Sequence, residues 1–215
     1  MSEQQRGNYK GVKSLSHTVV ECPEFMPSKS AKSHWSMAET THNDFLRDLA
    51  SEVESSGFRC KTELKLEYHF PQGFSVRGSV DLVCENQDTV LLFEVKSFPL
   101  GYAFLGDRNQ LLFYAYILLK QSMFPGKEIV PILVYKSDHM DPGMLPLKST
   151  VVNLPSGQYV VLDILDGLVD AVESTVRVYQ IITSSKRRNF IMGKHCFKCS
   201  NSDCVVGRAR MTSYG

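Results

Sequence analysis

With 215 residues, 43% of them hydrophobic and 22% charged, the chain is long enough to bury one α/β core carrying a small appendage. A formal net charge of +1 excludes a uniformly basic, nucleic-acid-coating protein, and there is no run of about 18 apolar residues to span a membrane. The opening Met1-Ser2-Glu3-Gln4-Gln5-Arg6 lacks the apolar centre of a secretory signal, so the expected location is intracellular, cytoplasm or nucleus, where six cysteines are more naturally metal ligands than disulfides.

Residues 1–16 are polar, with Gly and Lys, and are expected to be flexible, although an ordered segment could begin near Ser14 and run to Cys22 before Pro23 and Pro27. Phe45, Leu46, Leu49 and Val53 have helical spacing and predict a helix over 37–56, stopped by Gly57. Leu64, Leu66, Tyr68 and Phe70 alternate with Glu63, Lys65, Glu67 and His69, the pattern of a half-buried strand. After a turn at Pro71-Gln72-Gly73 come two strongly apolar segments, containing Val80, Leu82 and Val83, then Val90 to Phe93 and Val95, joined by a turn at 85–88. Leu111, Leu112, Ala115, Leu118 and Leu119 predict a helix over 107–121, and 129–135 reads as a buried strand. A turn at Asp141-Pro142-Gly143, short strands at 151–152 and 159–162, and an amphipathic helix over 163–183 complete the series. Beyond it there are too few apolar residues for a core.

Charge interrupts the two apolar strands at Asp81, and again at Glu94 and Lys96. Residues two apart on a strand share a face, so Glu94 and Lys96 point the same way, and the 85–88 turn folds Asp81 back beside them. Ionised groups in such apolar surroundings are costly unless paired or metal-bound. Two carboxylates suit a hard cation such as Mg²⁺, and a metal flanked by a lysine suits hydrolysis of a phosphodiester. Asp81, Glu94 and Lys96 are therefore the candidate catalytic residues.

The C-terminal end holds Cys196-Phe197-Lys198-Cys199 and Cys204, three thiols close together in an apolar-poor stretch, most simply explained by metal. Zinc takes four tetrahedral ligands and a [4Fe–4S] cluster four thiolates. His195 could be the fourth ligand for zinc; Cys22, in an irregular N-terminal segment, is the favoured fourth ligand. Cys84 reads as a small hydrophobe and Cys60 has no distinctive context. Lys186, Arg187 and Arg188 open a basic stretch with Lys194, Lys198, Arg208 and Arg210, in which Asp203 is the only acid after Glu173. Such a patch can grip phosphates.

In order along the chain, Ser14-Leu15-Ser16 through Cys22-Pro23, His42 on a helix, Gly78-x-x-Asp81, Glu94-x-Lys96, Gln110-x-x-x-Tyr114 and the terminal cysteine triplet resemble the PD-(D/E)xK nuclease superfamily. Within it the chain is similar to RecB-type exonucleases with an iron–sulfur staple, the group of the CRISPR-associated RecB-like nucleases and exonuclease V. The resemblance implies an α/β fold with a restriction-endonuclease-like core, a central mixed sheet flanked by helices, and N- and C-terminal segments stapled by a metal cluster. It implies one nuclease domain over 17–204, with its cysteine cluster in 184–204, and a basic tail at 205–215. His42, Asp81, Glu94 and the Val95 carbonyl would hold Mg²⁺ or Mn²⁺. Gln110 and Tyr114 would contact the nucleic-acid strand or support Lys96. Cys22, Cys196, Cys199 and Cys204 would hold a [4Fe–4S] cluster, with Zn²⁺ the alternative. The expected activity is that of a metal-dependent deoxyribonuclease, an exonuclease with possible endonuclease action on single-stranded DNA or strand ends. Repair, recombination, replication or spacer capture would be its setting, alone or with processing-complex subunits and away from membranes. The competing expectation is a non-catalytic nucleic-acid-binding module.

Overall fold

In the computed structural model, residues 9–18, 35–71, 73–96, 104–135, 149–154, 157–162 and 167–184 are described. In chain order they form β1 (Tyr9–Gly11), α1 (Val12–Thr18), α2 (Trp35–Ser55), β2 (Arg59–Phe70), β3 (Phe74–Glu85), β4 (Thr89–Lys96), α3 (Phe104–Lys120), β5 (Glu128–Tyr135), β6 (Ser149–Leu154), β7 (Gly157–Leu162) and α4 (Leu168–Ser184). The chain is an α/β protein whose mixed sheet is flanked by helices. No described helix is long and apolar enough to cross a membrane.

The sheet runs β1-β3-β4-β5-β7-β6, with β2 also paired to β3. β2, β3 and β4 form an antiparallel meander. The β2–β3 turn closes with a Gly73 N–H bond to the Phe70 carbonyl, and Gly73 takes a φ of 75°, a conformation that favours glycine. β4 pairs parallel with β5, a connection that requires a crossover; α3 supplies it. Every residue of α3 from Leu111 to Leu118 is buried, as expected of a helix that is apolar all round.

Two cores lie on opposite sides of the sheet. One joins α1, α3 and α4 through residues such as Leu15, Leu111, Phe113 and Val176. The other joins α2, through Phe45, Leu46 and Leu49, to Leu82, Phe93, Val95 and Val134. α2 ends where Gly57, at φ 88°, donates to the Glu54 carbonyl, the stop expected from the sequence.

Two expectations are corrected. Within the segment expected to be flexible, 1–16, residues 9–16 form β1 and most of α1: β1 pairs in parallel with β3, and Val12, Leu15 and Ser16 are fully buried. Val12 and Leu15, three apart on α1, are enough apolar area to anchor a short helix against α3. Cys84, read as a small hydrophobe, and Cys60, given no distinctive context, form a disulfide, against the expectation that metal binding is likelier than disulfides. They stand directly opposite in the β2–β3 ladder, a proximity created by strand register and invisible at a separation of 24 residues.

Candidate active site

β2 runs beside β3 over the full length of one edge, so β1 and β4 share the other. β1 takes Ser75, Val76 and Arg77, and β4 takes Leu82 to Glu85. Gly78 to Asp81, the Gly-x-x-Asp motif, falls in the gap between them. Backbone groups there need partners other than a neighbouring strand. The Ser79 backbone hydrogen-bonds to the Tyr114 hydroxyl. Beyond the last ladder pair, Leu82 with Phe93, the Asp81 carboxylate accepts the Val95 N–H at 2.8 Å. Side chains thus do the work of the missing ladder.

The alternation of side chains breaks at the same place. Val80 packs in the α3-side core and Leu82 in the α2-side core, although residues two apart should share a face. β2 changes faces in step: Leu64 packs on the α3 side and Cys60 on the α2 side. Between them Glu63, at the register position facing Asp81, has a φ of 54°. A non-glycine residue in this left-handed region costs about 1–2 kcal/mol, and such outliers gather at functional sites.

Gly78 has a steric reason. A Cβ there would lie 2.7 Å from Tyr114 Cε1 and 2.9 Å from its hydroxyl oxygen. Only glycine lets the Tyr114 ring lie against the strand. Tyr114 receives a bond from Gln110 Nε2 at 3.2 Å, and burial, reinforced by nearby Glu94, raises its phenol above the usual range.

Glu94 is 2% exposed. Its Oε1 accepts from Lys96 Nζ at 2.6 Å and from Gln110 Nε2 at 2.8 Å, while Oε2 is buried without a hydrogen-bond partner. Burial pushes this carboxyl up to about 7, with Asp81 adding to the rise and Lys96 opposing it. The Lys96 side chain is 12% exposed. Besides Glu94 it reaches Gln110 Oε1 and Asp107 Oδ1, each at 3.3 Å. Burial works against the ammonium, but Glu94 and Asp107 outweigh it and hold Lys96 above the ordinary lysine range.

His42 comes from α2, on the other side of the sheet, with Nε2 3.8 Å from Asp81 Oδ1. Glu94, Lys96, Gln110 and Tyr114 are thus one hydrogen-bonded cluster, with Asp81 a nearby charge and His42 beside Asp81. Gln110 and Tyr114 are 3% and 2% exposed; the Gln110 amide bonds Lys96, Glu94 and the Tyr114 hydroxyl, which also bonds the Ser79 backbone. Among the described residues no group of three or more His, Cys, Asp or Glu stands assembled as a metal cage. The donor set nevertheless fits a hard cation: Glu94 Oε2 is a buried oxygen with no partner, beside a second carboxylate, and Mg²⁺ keeps several waters on few protein ligands.

Two charged residues escaped the sequence reading. Asp107 pairs with Lys96, and Lys13 of α1 lies close enough to Glu94 to favour its ionised form. Asp107 stands three positions before Gln110, on the same helix face; that spacing was the available signal. Lys13 had none, because β1 and α1 were expected to be flexible. Cys22, Cys196, Cys199, Cys204, His195, Lys186, Arg187 and Arg188 lie outside the described residues, as does the turn at 141–143.

The fold and site define an α/β protein with a buried lysine–carboxylate cluster at a split in its sheet. No family model matches the chain, and no curated protein matches it. Among solved structures it is similar to one described as "Crystal structure of SSO0001", with 15% sequence identity, a TM-score of 0.49, and coverage of 91% of this chain and 84% of that one.

Proposed function

We propose that the chain is a metal-dependent nuclease of the PD-(D/E)xK kind, hydrolysing phosphodiester bonds of single-stranded DNA or strand ends. One observation carries the reading: Glu94 is buried with one oxygen saturated by Lys96 and Gln110 and the other bare, in the gap where Asp81 replaces a ladder bond. A buried anion left half unsatisfied is costly, and a divalent cation relieves that cost.

Asp81, Glu94 and His42 would hold Mg²⁺ or Mn²⁺, with the Val95 carbonyl. Such an ion lowers the pKa of bound water and offsets charge on the phosphate. The chain's own part is positional. Gln110 bonds both Lys96 and Glu94 and so fixes the angle between them. Tyr114, seated on Gly78, holds Gln110. Lys96 brings a buried positive charge to the site, suited to stabilising charge that develops on the phosphate.

The same reading places Cys22, Cys196, Cys199 and Cys204 around an iron–sulfur cluster that ties the two ends of the chain together. The cysteine pattern alone supports this part. Brown colour with thiolate-to-iron absorption in anaerobically purified protein is the expected outcome; colourless protein containing zinc would replace the cluster by a zinc staple.

The deciding experiment is digestion of end-labelled single-stranded DNA with Mg²⁺ or Mn²⁺, comparing wild type with Lys96→Ala. Wild type should cut, with the variant slower by about 10²-fold or more. Binding of DNA without cutting by either protein would instead favour a nucleic-acid-binding module.

A further inference from the structure

A lysine ammonium has three donors, and in this structure Lys96 directs them at Glu94 Oε1, Gln110 Oε1 and Asp107 Oδ1. Only the first and last are anions. Glu94 is shared, because it is also the residue with a second, buried oxygen that has no hydrogen-bond partner. When a cation occupies that oxygen, the negative charge of Glu94 is drawn toward the cation, and a buried ammonium would be left without a full counter-charge.

Asp107 supplies that counter-charge. It is buried, lies in the first turn of α3, where the helix dipole favours an anion, and belongs to neither the Gly-x-x-Asp nor the Glu-x-Lys motif. The nearest charges then pair off, with Lys13 a further cation beside Glu94. Asp81 and Glu94 balance a divalent cation, and Asp107 balances Lys96. Asp107, Gln110 and Tyr114 follow one another at spacings of three and four on α3, so one helix face carries the support of the lysine that does not come from Glu94.

We infer that Asp107 is a positioning residue of the site: it pairs with Lys96 independently of Glu94 and thereby leaves Glu94 available to a divalent cation. This rests on the metal-dependent reading above and extends it to a residue outside the recognised motifs. Without Asp107, Lys96 competes undivided for Glu94, and a surplus positive charge faces the incoming ion.

The test is Mn²⁺ binding by titration calorimetry on the full chain, with DNA cutting measured in parallel. Asp107→Asn keeps the side-chain size and should weaken Mn²⁺ binding by about tenfold, the lower end of losses seen for residues that orient metal ligands. It should lower kcat more than it changes KM for DNA. In a Lys96→Met background the same substitution should change Mn²⁺ affinity less than about threefold, because its effect runs through the lysine. Asp107→Glu, which keeps the charge, should recover most of the affinity. An equal loss in both backgrounds, or equal losses for Asn and Glu, overturns the inference. If Asp107→Asn does not fold, Lys96→Met/Asp107→Leu, lacking both charges, is compared with Lys96→Met; a further large loss of affinity there likewise overturns it. Wild type that binds no Mn²⁺ sinks the metal-dependent reading itself, whereas wild-type binding unchanged by Asp107→Asn sinks only the role of Asp107.

Discussion

The two ends of the β3–β4 pair contain similar residues and solve opposite problems. At the turn end the ladder is regular from Leu82 with Phe93 to Glu85 with Val90. Asn86 accepts the backbone N–H groups of Asp88 and Thr89, and Lys127 bonds Glu85 and the Asn86 carbonyl. That ion pair is partly exposed, and all it does is close a turn. At the open end the ladder stops, and the ion pairs of Lys96 with Glu94 and Asp107 are buried. A sheet needs no such cluster; apolar residues of similar volume would be at least as stable there. Polar burial without structural need is the reason the proposed site is put at the open end.

Four perturbations sharpen this contrast. The largest concerns the turn end, where the Cys60–Cys84 bond ties β2 to β3. Closing a loop of that length contributes about 3 kcal/mol in the chain-entropy account. Cys60→Ala/Cys84→Ala should lower stability by that amount in urea melts and leave the Mn²⁺ affinity of the open end within twofold. A collapse of Mn²⁺ binding would show that the two ends are not separable.

Next is Gly78→Ala, whose methyl group meets the Tyr114 ring. Overpacking of this kind costs roughly 1–3 kcal/mol, and here it should also displace Gln110 and reduce cutting. Tyr114→Phe, which keeps the ring and loses the Ser79 and Gln110 bonds, should cost about 1 kcal/mol. A Gly78→Ala protein with wild-type melting and activity would contradict the packing argument.

Glu63→Gly relieves the left-handed backbone opposite Asp81. Gain and loss oppose: relief of about 1 kcal/mol offsets the usual cost of glycine in a strand. The variant should be neutral to slightly stabilising, while Lys65→Gly, two residues on, should cost about 1 kcal/mol. Equal destabilisation of both would mean that Glu63 bears no local strain.

The smallest effect belongs to Glu85. The bond from Lys127 holds its carboxyl below the ordinary value. A group with a depressed folded pKa stabilises the fold above its unfolded pKa and loses that contribution as pH falls through the folded one. For a partly exposed pair the contribution is about 0.5 kcal/mol. The stability difference between wild type and Lys127→Met should therefore be larger at neutral pH than in strong acid. A difference constant with pH would remove the charge from the explanation and leave the Asn86 bond.

Much of the framework was legible in the chain because it depends on local periodicity. Alternation in 64–70 and continuous apolar runs in β4 and β5 anticipated the strands, and Gly57 marked the end of α2. The same logic failed for β1 and α1, whose few residues are polar except where they touch α3. The core triad of the site was legible for a different reason: Asp81, Glu94 and Lys96 are charges set into segments that are otherwise apolar. Asp107 was missed although its spacing from Gln110 put both on one helix face, because an acidic residue in the first turn of a helix is ordinarily a solvated, dipole-favoured position.

The sequence by itself determined most of the strands and helices, β1 and α1 excepted, and that three charges interrupt the most apolar of them, because both follow from side-chain chemistry and spacing within a few residues. Only the tertiary structure decided that β1 and β4 leave one edge of Gly78 to Asp81 without a strand partner, that Tyr114 fills the space over Gly78, that Cys60 meets Cys84, and that Lys96 stands between Glu94 and Asp107. Each of these is a contact between residues distant in the chain, set by strand register and helix packing, and neither quantity is encoded in any short window of sequence.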